Sequence, residues 1–227
     1  MNSVILSVGG SLLIPADGIN IDFLNSFNRF IRSHIATTRF LLVVGGGGTT
    51  RQYQGAAKTV SGSLASEDID WLGIHITRLN AHLVRTVLKD ISHPRIIENY
   101  DHKLENWHEP VVIGAGWKPG WSTDYDAVIL ARDYNVPLVI NMTNIYYVYN
   151  KDPKKFSDAV PYQNLSWSEL EKIVGTQWIP GANYPFDPIA SQLAKQLKLR
   201  VITTKGDDFD NLNNILANKD FKGTVIQ

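Results

Sequence analysis

Short apolar runs rich in Val and Ile alternate along the chain with longer segments in which apolar residues recur at helical spacing. That alternation predicts a mostly parallel β-sheet with helices on both faces, a three-layer α/β/α sandwich of the α/β class. Candidate strands cover residues 4–8, 40–44, 95–97, 110–113, 136–141 and 200–204. Candidate helices cover 21–33, 50–60, a long segment from about 68 to 91, 123–134, 166–174, 188–197 and 208–216. Ser166 and Glu169 fit a capping box at the start of one of them. The loops around Pro119, Pro153 and Pro180 are short, and no internal repeat or low-complexity tract interrupts the pattern. A single domain over 1–227 is expected.

Composition narrows the classes. With 227 residues, 44% of them hydrophobic, the chain is long enough to bury a substantial core. The formal net charge is zero, so no global basic field argues for a nucleic-acid partner. There are no cysteines, which excludes disulfides and thiolate metal sites and suits a reducing cytoplasm. No apolar run approaches the ~20 residues of a membrane span, and the opening MNSVILSVGGSLL reads as a strand, without the basic stretch of a signal peptide. Six histidines are scattered; His75 and His82 could share a helix face, but solvated or structural roles are favoured over a metal site.

The candidate chemistry lies where strands end in glycine. Residues 41–51 read LLVVGGGGTTR, a strand with the character of one buried on both faces that breaks into four glycines. Glycine permits positive φ and close approach of another molecule, and a helix opening at Thr50 would present free amides to an anion. A flexible turn is the alternative, and a Walker P-loop is excluded because no Lys followed by Ser or Thr stands at the required spacing. The same strand-then-glycine pattern recurs at Gly9-Gly10-Ser11 and at Gly114-Ala115-Gly116, which continues into Trp117-Lys118-Pro119-Gly120-Trp121-Ser122-Thr123. Several amide-lined strand ends on one crevice would hold several phosphates, with Arg51, Arg78, Lys118 or a nucleotide-borne metal as the cations.

In order along the chain, Gly9-Gly10-Ser11-Leu12-Leu13, VVGGGGTTRQY, DWLGIHITRLNA from Asp70, GWKPGWSTD, Thr143-Asn144 and Val148-Tyr149-Asn150-Lys151-Asp152-Pro153 resemble the amino acid kinase family. Within that family the chain is most similar to the archaeal-type uridylate (UMP) kinases, and the resemblance extends to Gly223-Thr224-Val225-Ile226. It implies one α/β/α sandwich with an acceptor-binding half over about 1–115 and an ATP-binding half over about 116–227. It implies an activity too: transfer of the γ-phosphoryl group of ATP to UMP, giving UDP and ADP in pyrimidine nucleotide synthesis, with Mg²⁺ carried by ATP and no metal ligand among the protein side chains.

By the same resemblance, Gly10 and Ser11 contact ATP phosphates, Gly46 contacts UMP, and Gly47 and Arg51 lie where the two phosphate chains meet. Gly10, Ser11 and Arg51 are thereby the implied catalytic residues. Asp70 takes the position of the acid that holds the ribose hydroxyls, a task suited to a carboxylate; a helix N-terminal acid is its structural alternative. Trp117, Lys118, Pro119, Gly120, Trp121, Ser122 and Thr123 would wrap UMP, with Thr123 at the uracil edge. Thr143, Asn144, Tyr149 and Asp152 match ATP-side positions, Tyr149 near the adenine and ribose. A cytoplasmic homo-oligomer, often a hexamer in the family, is implied, with ATP and UMP as small-molecule partners.

The sequence departs from the family pattern in three places. The lysine common in the first strand is Ser7. The usual Asn-Val-Asp-Gly-Val-Tyr reads Asn144-Ile145-Tyr146-Tyr147-Val148-Tyr149, so two large rings either repack the ATP pocket or point away from it. A glycine-rich turn before the last Asp-Pro reads Gly181-Ala182-Asn183-Tyr184-Pro185-Phe186-Asp187-Pro188. The alternatives are a non-catalytic nucleotide- or oxyanion-binding or storage protein of the same fold, and a related small-molecule phosphate kinase.

Overall fold

The computed structural model describes residues 2–153, 155–177 and 184–227. Strands β1 (Asn2–Val8), β2 (Thr38–Val44), β3 (Val111–Gly114), β4 (Leu138–Thr143) and β8 (Arg200–Lys205) run parallel. β9 (Thr224–Ile226) pairs antiparallel with β8, and β7 (Asn164–Leu165) extends the edge, for a sheet order of β3-β2-β1-β4-β8-β9-β7. β5 (Val148–Tyr149) and β6 (Pro161–Tyr162) form a separate two-stranded ribbon.

The alternation along β1 divides the core into two layers. Val4, Leu6 and Val8 face one side, with Phe23, Phe27 and Ile31 of α2 (Ile21–His34), Ala81 and Val84 of α4 (Ser66–Val87), and Leu212 and Ile215 of α8 (Phe209–Leu216). Ile5 faces the other, with Ala127 to Ala131 of α5 (Thr123–Tyr134), Leu170 of α6 (Trp167–Val174), and Ala190 and Ala194 of α7 (Pro188–Gln196). Strands covered on both faces need no polar alternation, which is why 40–44 reads as an unbroken apolar run.

Most of the expected elements are present, with shifted ends. The helix expected from Thr50 is α3 (Gly47–Ser61), which begins inside the glycine run, so Thr50 does not open it. The long helix expected at 68–91 is α4, and the short helix α1 (Gly10–Leu13) was not foreseen. Residues 95–97 make no strand: only isolated bridges pair Ser92 with Val111 and Ile97 with Gly114, since Pro94 lacks an amide donor and Arg95 is not buried. The strand expected from 136 starts at Leu138, after Asn135 ends α5 in a left-handed conformation and Pro137 interrupts amide donation. The Ser166 capping box is formed, with both reciprocal bonds to Glu169. β5, β6, β7 and β9 are two or three residues long, too short to impose a period.

Candidate active site

From β1 the chain crosses to β2 on one side and later reaches β4 on the other, so the carboxyl ends of these three strands open a crevice. Two glycine loops interlock there. Gly10 lies so close to the next loop that a Cβ would stand 2.2 Å from the Gly47 nitrogen. Gly47 has φ +69°, and a Cβ on it would meet the carbonyls of Gly10 and Ile14 at 2.3 and 2.5 Å. The Gly48 amide donates to the Ile14 carbonyl at 2.6 Å. The bare backbone is therefore needed for loop-to-loop packing, a requirement that the sequence alone did not reveal. Arg51, four residues into α3, reaches back to Ser11, with Nη1 to Oγ at 3.4 Å. Gly10, Ser11, Gly46, Gly47 and Arg51 thus share one corner.

Beside this corner is a cavity of about 690 Å³ whose wall includes Gly10, Ser11, Thr143, Asn144, Tyr149 and Asp152. Of the residues matched to the ATP side, only Gly47 and Arg51 stand outside its wall. Thr143 Oγ1 donates to the Ile145 carbonyl and accepts from the Ile145 amide, fixing the turn after β4. Lys151 is held by Asp158 at 2.6 Å and lies over the Phe156 ring. Neither Tyr146 nor Tyr147 lines the cavity. Tyr146 donates its hydroxyl to Asp208 at 2.9 Å, with Lys205 and Lys222 flanking its ring, so that ring is directed at α8, while the Tyr147 ring stands edge-to-face with Tyr149 of the cavity wall at 6.5 Å. Part of the turn at 181–188 lies outside the described residues; Tyr184 and Pro185 line the cavity.

The second loop group is held by α4. Asp70 is the fifth residue of that helix, behind the first-turn acids Glu67 and Asp68, and one of its oxygens accepts from the Gly120 amide at 2.9 Å. Partial burial raises the pKa of Asp70, against the lowering effect of that bond. Thr77 Oγ1 accepts from the Gly116 amide at 2.9 Å. Arg78, one of the candidate cations, donates from Nε to the Gly116 carbonyl at 3.1 Å and from Nη2 to the carbonyls of Trp117 and Glu98 at 3.1 and 3.3 Å, so these donors are taken by main chain. Asn80 donates Nδ2 to the carbonyls of Gly45 and Gly46 at 2.9 and 3.1 Å. Lys118 Nζ rests 3.9 Å from the Trp117 ring centre and 4.5 Å from that of Trp121. Trp117, Trp121 and Tyr125 continue as edge-to-face rings. Pro119 precedes Gly120, which turns the loop at φ +82°. Ser122 caps α5 through the Tyr125 amide, and Thr123 lies in the cavity wall.

Three acids were missed by the site assignment. Asp124 lines the cavity, accepts from Ser7 Oγ and from the Asp187 amide, both at 3.1 Å, and is pushed up to about 7 by burial and then by the Asp187 charge. Asp187 caps α7 through the Ala190 amide, and burial raises it. Asp126 is fully buried, neither oxygen has a hydrogen-bond partner among the described residues, and burial followed by the Asp124 charge lifts it well above the carboxylate range. The signal available in sequence was a pair of acids, Asp124 and Asp126, in the first turn of α5 immediately ahead of its apolar run Ala127 to Ala131.

Comparison with known proteins gives the family. The amino acid kinase family model matches residues 2–204. A uridylate kinase of Methanoculleus marisnigri is 33% identical over 229 residues, covering 100% of this chain and 96% of the relative. One of Sulfolobus acidocaldarius is 35% identical over 191 residues, 83% of each chain. The crystal structure of uridylate kinase from Archaeoglobus fulgidus superposes with a TM-score of 0.84 at 29% identity, covering 100% of both chains. The chain belongs to the amino acid kinase family.

Proposed function

We infer that the protein is a UMP kinase, transferring the γ-phosphoryl group of ATP to UMP to give UDP and ADP. The observation that carries this reading is the meeting of Gly10, Ser11, Gly46, Gly47 and Arg51 at the mouth of a nucleotide-sized cavity. In this reading the cavity takes ATP, with Tyr149 toward the adenine and ribose, Thr143, Asn144 and Asp152 along the donor, and Gly10 and Ser11 at its phosphates. UMP lies against Gly46 and the loop from Trp117 to Thr123, its ribose at the oxygen of Asp70 that Gly120 leaves free.

The acceptor phosphate oxygen attacks the γ-phosphorus in line as the bond to the β-phosphate oxygen breaks, and ADP leaves. Arg51, poised at Ser11, neutralises charge between the two phosphate chains, and binding in one corner supplies the alignment. In this reading Mg²⁺ arrives on the nucleotide, and Asp124, in the cavity wall, is the carboxylate that would face it. Mg²⁺, when bound, draws negative charge from the phosphates. The proposed halves, 1–115 for the acceptor and 116–227 for ATP, are crossed twice: Gly10 and Ser11 serve the donor, and the Trp117–Thr123 loop serves the acceptor. A cytoplasmic homo-oligomer working in pyrimidine nucleotide synthesis belongs to the same reading; no helix among the described residues is long and apolar enough to cross a membrane.

The test is ADP formation from ATP and Mg²⁺ with UMP, CMP, AMP and isopentenyl phosphate as acceptors. Turnover with UMP well above the others is expected. Turnover confined to another acceptor would overturn the assignment.

A further inference from the structure

Resting on the UMP kinase reading, we propose that Asn80 and Arg78 are positioning residues that aim main-chain amides at the acceptor. In a trans peptide the carbonyl of one residue and the amide of the next point in opposite directions, and the described chain contains no cis peptide. Asn80 Nδ2 draws the carbonyls of Gly45 and Gly46 toward α4, so the amides of Gly46 and Gly47 are turned the other way. Arg78 does the same with the carbonyls of Gly116 and Trp117, turning the amides of Trp117 and Lys118 away from it. None of these four amides donates a hydrogen bond among the described residues, whereas neighbouring amides do: Gly45 to Val8, Gly48 to Ile14, Gly116 to Thr77 and Gly120 to Asp70.

Two side chains two positions apart on one helix thus orient two loops that come from different strands. The bonds are well supported where they form. Asn80 is 4% exposed, and its amide group reaches two carbonyls in a setting where an unmade bond is costly. The Arg78 guanidinium is braced by the Glu98 carbonyl and by the Glu98 carboxylate at 3.6 Å. A lysine there would keep the charge but lose the planar fork that serves several carbonyls at once. An aspartate at position 80 would keep the shape and set a carboxylate against the two carbonyls. Unpaired N–H groups suit the oxygens of a nucleoside monophosphate, and their direction is set by residues that need not touch the substrate.

The experiment measures kcat, KM for UMP, KM for ATP and the melting temperature of wild type, Asn80→Asp, Arg78→Ala and Arg78→Lys, beside the backbone amide shifts of wild type on adding UMP or inorganic phosphate. The expected result is a rise in KM for UMP of about tenfold or more in all three variants, with KM for ATP within about twofold. Arg78→Lys should fall between wild type and Arg78→Ala, and the amides of Gly46, Gly47, Trp117 and Lys118 should move on adding UMP. Equal rises in both KM values, or an unchanged KM for UMP in variants that remain folded, would overturn the proposal while leaving the kinase reading intact. Should wild type release no ADP with UMP, the kinase reading falls. The amide shifts then decide this proposal alone: movement at Gly46 and Gly47 with UMP or inorganic phosphate sustains it, and stillness overturns it.

Discussion

On the proposed donor side the wall is largely side chains, among them Asp124 of α5, Asn141 and Thr143 of β4, Tyr149 of β5 and Asp152 beyond it, with main chain at Gly9 and Gly10, around a cavity of about 690 Å³. On the proposed acceptor side the surface is main chain, two glycine-containing loops whose carbonyls and amides are tied by Asp70, Thr77, Arg78 and Asn80 of α4. A wall of side chains tolerates substitution wherever a residue faces elsewhere, as Tyr146 does. A main-chain surface depends on a few residues behind it, and a change in one of them alters groups it does not touch.

The largest effect that would break this comparison is expected at the loop junction. In Gly10→Ala the new methyl meets the backbone of Gly45, Gly46 and Gly47, which cannot swing aside as a flexible side chain would. A stability loss on the order of 1–3 kcal/mol is expected, with activity lost toward both substrates; thermal melting and initial rates check it. Next is Arg51→Ala, which removes an exposed cation from the meeting point of the phosphates. Turnover should fall about 10²-fold with little change in melting temperature.

A pH effect of intermediate size is expected from Asp124. Its ordinary value of 3.8 is raised to about 7 in the folded chain, so the native state holds a proton that the unfolded state has lost between about pH 4 and about pH 7. Stability therefore falls as pH rises through that window, by at most about 1.4 kcal/mol per pH unit from this group, and the contribution levels off above it. Asp187 and Asp126, both raised, act in the same direction. Asp124→Asn should flatten the part of the denaturation profile due to Asp124 between those limits; an unaltered slope would contradict this origin. The smallest effect is expected from Tyr146→Phe, which loses one partly exposed hydrogen bond to Asp208. About 0.5–1.5 kcal/mol of stability should go, with KM for ATP unchanged. A several-fold rise in that KM would place the ring in the donor site after all.

How far the sequence reached differs between the same two regions. The sandwich was legible because β1, β2 and β4 are built on the apolar runs 4–6, 40–44 and 138–140 with segments of helical spacing between them, one of them marked by the capping box at Ser166. The short edge strands were not, since two residues have no period. Within the site, Gly10, Ser11 and Arg51 were legible as a glycine strand end and a nearby cation, and the structure brings them together. The work of Asn80 and Thr77 was not: a polar residue on a buried helix face does not announce which carbonyl or amide, more than thirty residues away in sequence, it will bind. Arg78 illustrates the converse, one of several candidate phosphate cations in the sequence that in the structure donates to three carbonyls. The direction of Tyr146 likewise depended on Asp208, which is distant in sequence.

The most direct test of the central claim, a kinase with a working donor cavity beside a main-chain acceptor surface, pairs ADP release from ATP and Mg²⁺ at saturating UMP with calorimetric binding of UMP to the same preparation. The account predicts both UMP binding and UMP-dependent ADP release. UMP binding with no ADP release would contradict it, because the cavity lined by Thr143, Tyr149 and Asp152 would then not be serving a phosphoryl donor.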